Sequence, residues 1–178
     1  ERCHQWKAAF STYPTLSCFA VKSNFTQEIL SNVFAHGFGA DVVSVGEMEC
    51  ALRAGVRPDQ IVFSGVGKQD HEIRRALEVG ILSFHVESEE EIADIRKVAE
   101  TMGKPAPISF RVNPHIDAKT HPHIATGLYE TKFGVPEMSV RKLAAELVSD
   151  PWIKVIGLSC HLGSQITEVK PFQEAATR

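Results

Sequence analysis

The stretch Leu16-Ser17-Cys18-Phe19-Ala20-Val21-Lys22-Ser23-Asn24 contains an apolar run that stops abruptly on a lysine. Its composition and length read as a buried strand over about 16–22. Taken alone, the final lysine reads as a side chain that buries its stem and keeps its ammonium in water. An amine held in a partly dehydrated place behaves differently: it loses basicity and attacks carbonyls. The residues around the stretch bear on which reading applies.

Similar runs recur at about 39–44, 61–64, 81–86, 107–112 and 155–160. Amphipathic segments fill the intervals at about 26–36, 46–54, 70–79, 89–102 and 138–149. The first strand starts lie about twenty residues apart, as for one repeated unit. Strand alternating with helix implies an α/β fold whose parallel strands are joined by right-handed crossovers. Ile81-Leu82-Ser83-Phe84-His85-Val86 predicts a sheet covered on both faces. Ser44-x-x-Glu47 and Ser88-x-x-Glu91 predict capping boxes. Gly55, Gly80 and Gly103 stand where helices end, and Pro105 and Pro107 stop the fourth helix. About six such units suit either part of an open doubly wound sheet or part of a (β/α)8 TIM-type barrel, and periodicity alone leaves both open.

With 178 residues the chain is long enough for one domain, and 43% hydrophobic and 23% charged residues are ordinary for a globular protein. Nineteen basic and 22 acidic residues give a net charge of −3, which offers no footprint for nucleic acid. No apolar run approaches the ~20 residues needed to cross a bilayer. Glu1 to Trp6 do not start a signal peptide. Cys3, Cys18, Cys50 and Cys160 form no C-x-x-C pair and read as reduced thiols of a cytoplasmic protein. The missing initial Met and a final helix barely begun at Lys170 to Arg178 read as a single domain over 1–178, truncated at both ends.

Gly65-Val66-Gly67-Lys68 looks like a phosphate loop but fails, because Val62 stands where the first Gly belongs and Gln69 where Ser or Thr belongs. The dinucleotide pattern fails at Asp70, and Gly37-Phe38-Gly39 fails at Val42. Both read as turns. Asn113 to Glu137 breaks the rhythm as a long polar loop at a strand's C-terminal end, where parallel α/β proteins build their sites. His115, His121 and His123 lie in it with Asp117 alone as a nearby carboxylate, and read as hydrogen-bonded loop histidines, not metal ligands.

Phe19-Ala20-Val21-Lys22-Ser23-Asn24 resembles a signature of the alanine-racemase-type barrel enzymes that use pyridoxal 5′-phosphate. Asp41-Val42-Val43-Ser44-x-Gly46-Glu47 and Ile61-Val62-Phe63-Ser64-Gly65 follow in order. Then come Arg111-Val112-Asn113-Pro114, the loop Asp117 to Gly127, Lys132-Phe133-Gly134 and Cys160-His161-Leu162-Gly163-Ser164-Gln165. The whole series is similar to the diaminopimelate decarboxylase family. The loop Asp117-Ala118-Lys119-Thr120-His121-Pro122-His123-Ile124-Ala125-Thr126-Gly127 separates it from ornithine and arginine decarboxylases.

The resemblance implies a partial (β/α)8 barrel that binds pyridoxal 5′-phosphate, in a protein that decarboxylates meso-diaminopimelate to lysine. It implies that Lys22 bonds covalently to the cofactor aldehyde, that His161 stacks on its ring and that Ser164 binds its phosphate. Ala20 leaves room beside the cofactor, Asp41 and Glu47 match acidic residues near the lysine, and Arg111 lies near the ring's phenolic oxygen. Glu47 already has a role in its capping box. The partners implied are a small amino-acid substrate and, for the full-length protein, a second copy in a homodimer. The family's glycine-rich phosphate loop, the glutamate facing the pyridine nitrogen and the C-terminal β-domain with its Cys and Tyr have no counterpart here. The chain alone is therefore expected to leave strand edges open and to have little activity. Two alternatives stay open: a non-catalytic cofactor-binding or regulatory relative, and another barrel amino-acid decarboxylase.

Overall fold

A computed structural model of the chain describes residues 1–113, 133–164 and 166–177. Six strands make one sheet: β1 Cys18–Ala20, β2 Gly39–Val42, β3 Ile61–Phe63, β4 Ser83–Val86, β5 Ala106–Arg111 and β6 Ile153–Ser159. Helix α1 Arg2–Ala9 precedes them, and α2 Gln27–Ala35, α3 Val45–Arg53, α4 Asp70–Val79, α5 Glu89–Met102 and α6 Glu137–Leu147 connect them. Helix α7 Lys170–Thr177 follows β6.

The strands lie side by side in sequence order, β1 to β6, and every pairing is parallel. A doubly wound sheet reverses its strand order at a switch point, whereas an order that never reverses is that of a barrel wall. The ambiguity left by periodicity is thereby removed: the chain forms six strand–helix units of a TIM-type barrel. Among the described residues β1 and β6 are its edges, and β6 leaves Ile156 and Leu158 42% and 69% exposed.

Side chains alternate along each strand, and the two faces differ. Ala40, Val42, Ile61, Phe63, Phe84, Val86, Ile108 and Phe110 are buried in one apolar cluster with Leu30, Met48, Ile73, Ile92 and Ile95 of the helices. The other face carries Asp41, Ser83, His85, Ser109 and Arg111. The sheet is covered on both faces along β4 and β5, where Ser83 and Ser109 are buried too, but its second face is polar. Ile81 to Val86 looked continuous because Ser83 and His85 are small or amphipathic, yet they point away from Phe84 and Val86, and the Ser83 and Ser109 hydroxyls bond to each other at 2.9 Å.

The caps work as a repeated device. Ser44 and Ser88 each accept the backbone N–H three residues on, from Glu47 and Glu91, at 3.2 Å. The two glutamates reach back one residue beyond the serine, to the N–H of Val43 at 2.9 Å and of Glu87 at 2.7 Å. Gly80 and Gly103 end α4 and α5 in the left-handed region, with φ of 77° and 63°. β1 is shorter than the sequence implied: the chain bends at Val21–Ser23 into a 3-10 turn, so Lys22 stands just beyond the strand.

His115, Asp117, His121, His123, the rest of the loop through Lys132, and Gln165 lie outside the described residues. The loop's two ends are close together: the Val135 N–H bonds the Arg111 carbonyl at 2.7 Å, and Val112 bridges Val135.

Candidate active site

The C-terminal ends of all six strands, with the turns that follow them, surround a cavity of about 590 Å³. Lys22 enters from the turn after β1, Asp41 from β2, Ser64 from just past β3, His85 and Glu87 from β4 and its end, Arg111 from β5, and Ser159, Cys160 and His161 from β6 and its end. Residues far apart in sequence meet here because parallel strands place all their C-terminal ends at one rim.

Two hydrogen-bonded groups organise the wall. Ser64 Oγ donates to Asp41 Oδ1 at 2.6 Å and lies 3.1 Å from His85 Nδ1. The hydroxyl proton is spent on Asp41, so His85 Nδ1 must be the donor to Ser64. Burial pushes the imidazole below its ordinary 6.5, with Asp41 opposing and Lys68 and Arg111 adding to the fall. His85 is then neutral at pH 7 and its Nε2 carries a lone pair. In the second group Arg111 Nη1 donates to Glu87 Oε1 at 2.7 Å, with the Glu87 side chain only 4% exposed. The Arg111 guanidinium also lies 5.7 Å from the centre of the Phe133 ring.

Lys22 is exposed at the mouth of the cavity, so its amine is both wet and within reach of a ligand there. His161 is half-buried; burial lowers its pKa, and the Arg111 and Lys22 cations lower it further. Burial and the nearby Asp41 carboxylate push the Cys18 thiol up to about 11.

Of the residues singled out in the sequence, Lys22, Asp41, Arg111 and His161 are brought together. Ala20 is half-buried at the end of β1 and is not part of the cavity wall. Ser164 is exposed and also off the wall. Glu47 does what its cap predicted, bonding the Val43 N–H. Lys68 is no phosphate-binding lysine, since its ammonium is buried against Glu91.

Ser64, His85, Glu87 and Ser159 were not among the candidates. Glu87 stands in the sequence beside Glu89, Glu90 and Glu91, with no motif to single it out. The one usable signal was position, since each stands at or just past the C-terminal end of a strand.

A family model described as the pyridoxal-binding domain of pyridoxal-dependent decarboxylases matches residues 1–178. A diaminopimelate decarboxylase of Haemophilus influenzae is 49% identical over 175 residues, covering 98% of this chain and 42% of its own length. One of Pseudomonas aeruginosa is 46% identical over 170 residues, 96% of this chain and 41% of its own. The chain thus spans less than half the length of these curated relatives. The crystal structure of a Helicobacter pylori diaminopimelate decarboxylase complexed with L-lysine is 42% identical and superposes with a TM-score of 0.95 over 98% of this chain and 45% of that one. The same enzyme of M. jannaschii, in co-complex with L-lysine, is 35% identical with a TM-score of 0.80 over 96% of this chain and 40% of that one.

Proposed function

The chain belongs to the family of pyridoxal-dependent decarboxylases, through their pyridoxal-binding domain, and we propose that it supplies the lysine-bearing part of a site that decarboxylates meso-diaminopimelate to lysine. The carrying observation is the meeting of Lys22, Asp41, Arg111 and His161 in one cavity on a chain so similar to diaminopimelate decarboxylases.

The cofactor of this family is pyridoxal 5′-phosphate. When bound, it supplies an electron sink for the pair left by a breaking bond to the α-carbon. The residues present fit it. About 590 Å³ is within the ordinary range for small-molecule sites. Lys22 offers an accessible primary amine to an aldehyde. Lys22 and Arg111 bring positive charge to a site for an anionic cofactor. Burial and the nearby cations favour an uncharged His161 imidazole at the cavity wall, and such a ring would suit stacking on an aromatic cofactor. Arg111, held by Glu87 at the cavity wall, would be the residue to meet the ring's phenolic oxygen. Asp41, fixed by the Ser64 hydroxyl, places a carboxylate in the wall that also holds Lys22. Ala20, half-buried at the end of β1 and off the cavity wall, would leave room beside the cofactor by its small side chain. Ser164, on the exposed segment after His161, would hold the phosphate.

The two relatives solved with L-lysine support an amino-acid substrate of this size. Adding pyridoxal 5′-phosphate to the chain tests the reading directly. An absorbance band of the covalent adduct should form and be absent in Lys22→Ala. A band of equal strength in both proteins overturns the assignment of Lys22. Carbon dioxide release from meso-diaminopimelate by a protein containing this chain, with L-arginine and L-ornithine left intact, tests the substrate.

A further inference from the structure

Three cations stand at the cavity wall or just behind it, and two of them are paired with carboxylates: Arg111 with Glu87 and Lys68 with Glu91, each at 2.7 Å. Lys22 is the exception among the described residues, since its ammonium has neither a hydrogen bond nor an ion pair. A carboxylate is nevertheless near. Ala20 pairs with Asp41 across β1 and β2, and Lys22 follows two residues on, so Lys22 and Asp41 leave neighbouring segments at one rim and line the same cavity. A flexible ammonium and a carboxylate so placed attract each other. Something therefore keeps them apart.

Ser64 is the group in place to do so. Its backbone N–H bonds the Val42 carbonyl at 2.8 Å, which seats it beside β2. Its hydroxyl donates to Asp41 Oδ1 at 2.6 Å, the short distance of a bond to a charged acceptor. A serine has one proton to give. His85 Nδ1 is also within reach, at 3.1 Å, and a bare Nδ1 would compete with Asp41 for that proton. A protonated Nδ1 cannot compete; it donates instead and leaves the hydroxyl proton to Asp41. The tautomer of His85 thus sets the direction of the Ser64 hydroxyl, and the hydroxyl sets the place of the carboxylate.

We propose that Ser64 and His85 are positioning residues that hold the Asp41 carboxylate off Lys22 and so leave the amine free to attack an aldehyde. The proposal rests on the reading of Lys22 as the residue that bonds the cofactor. An ammonium paired with a carboxylate gives up its proton less readily, and only the deprotonated amine is a nucleophile. Held by Ser64, Asp41 stays in the wall, where its charge opposes those of Arg111 and Lys22 at His161. The cavity thereby has a fixed negative charge and a free amine together.

The test reads the nucleophilicity of Lys22 directly, by brief acetylation with acetic anhydride near neutral pH and peptide mass spectrometry, with the exposed Lys154 as internal standard. The protein is studied as wild type, Ser64→Ala, His85→Leu, His85→Asn and Asp41→Asn. Ser64→Ala and His85→Leu are also each combined with Asp41→Asn, and every variant is checked for folding by circular dichroism. Ser64→Ala should slow acetylation of Lys22 roughly fivefold, the weight of one opposite charge at contact distance in water. His85→Leu should slow it in the same direction, and decides alone should Ser64→Ala not fold. His85→Asn keeps an N–H donor for Ser64 and should restore the wild-type rate. In the Asp41→Asn background neither Ser64→Ala nor His85→Leu should have an effect, a result that general loosening of the site would not reproduce. Unchanged acetylation in either folded variant, or equal slowing with and without Asp41, overturns the proposal. The absorbance band formed with pyridoxal 5′-phosphate should rise more slowly in the same variants. A wild type that is acetylated at Lys22 yet forms no band overturns the cofactor reading and not the restraint on Asp41, which the acetylation rates decide.

Discussion

Lys68 Nζ lies 2.7 Å from Glu91 Oε1, with both side chains buried. The ammonium also donates to the carbonyls of Gly65 at 2.6 Å and His85 at 2.8 Å, so all three of its protons are used. Glu91 spends its other oxygen on the Glu87 N–H at 2.7 Å. The pair therefore ties the turn after β3 to the end of β4 and fixes the backbone of two cavity residues, His85 and Glu87.

Lys68→Met is expected to leave the Glu91 carboxylate buried without its counter-charge, at a cost of about 3–5 kcal/mol in urea unfolding. Arg57→Ala breaks only an exposed pair with Asp59 and should leave the midpoint unchanged. A Lys68→Met chain as stable as the wild type would show that the pair contributes nothing.

Gly39 starts β2 against the preceding turn of β3. A Cβ added there would stand 2.3 Å from the Gln60 carbonyl oxygen and 2.9 Å from Cys18 Sγ. Backbone cannot move aside as a flexible side chain can. Gly39→Ala should therefore destabilise by about 1–3 kcal/mol or more through overpacking. Gly46→Ala, whose Cβ would meet only Ser44 Oγ at 3.8 Å, serves as the control and should be tolerated.

Why some of this was legible in the sequence is clear from particular residues. Helices α4 and α5 were expected at 70–79 and 89–102, the bounds they have, because Gly80, Gly103 and the Ser88 cap mark their ends chemically. Helix α1 was missed because Arg2–Ala9 has no apolar stripe and no buried residue to produce one. The bend at Val21–Ser23 was missed because its residues continue the apolar pattern of the strand. Lys22, Asp41, Arg111 and His161 were legible because each sits in a recognisable motif. Glu87, Arg111 and Ser159 form a row only through strand register, which the bulge between Ile108 and Ser109 shifts midway along the β5–β6 pairing. No spacing within one segment encodes that.

Cys18 provides a chemical probe of the cavity. Burial first, and the Asp41 carboxylate second, raise its thiol to about 11. At pH 8 only about one molecule in a thousand carries the reactive thiolate at this position. Iodoacetamide followed by peptide mass spectrometry should find Cys18 the slowest of the four cysteines to be alkylated. Asp41→Asn removes the smaller cause and should quicken the reaction without bringing it to the rate of an open thiol. Rapid alkylation of Cys18 in the folded wild type would contradict the burial assigned to it.

Two cavity histidines make stability depend on pH in a definite direction. Burial is the largest cause lowering both His85 and His161 below their ordinary 6.5, and Arg111 adds to both. Between the lowered folded values and 6.5 the unfolded chain binds more protons than the folded one. Stability is thus fully present above about pH 6.5 and declines as pH falls through the folded values. Urea unfolding from about pH 7.5 down to about pH 5 should record that decline, in a range above most carboxylate titration. His85→Asn keeps a donor for Ser64 Oγ and cannot take up a proton, so it should flatten part of the slope. Relative to the wild type the variant should therefore fare better at pH 5 than at pH 7.5, which separates lost titration from lost packing. An unchanged slope in His85→Asn would mean that protonating this imidazole costs the fold nothing, against its place between Ser64 and the cations of Lys68 and Arg111.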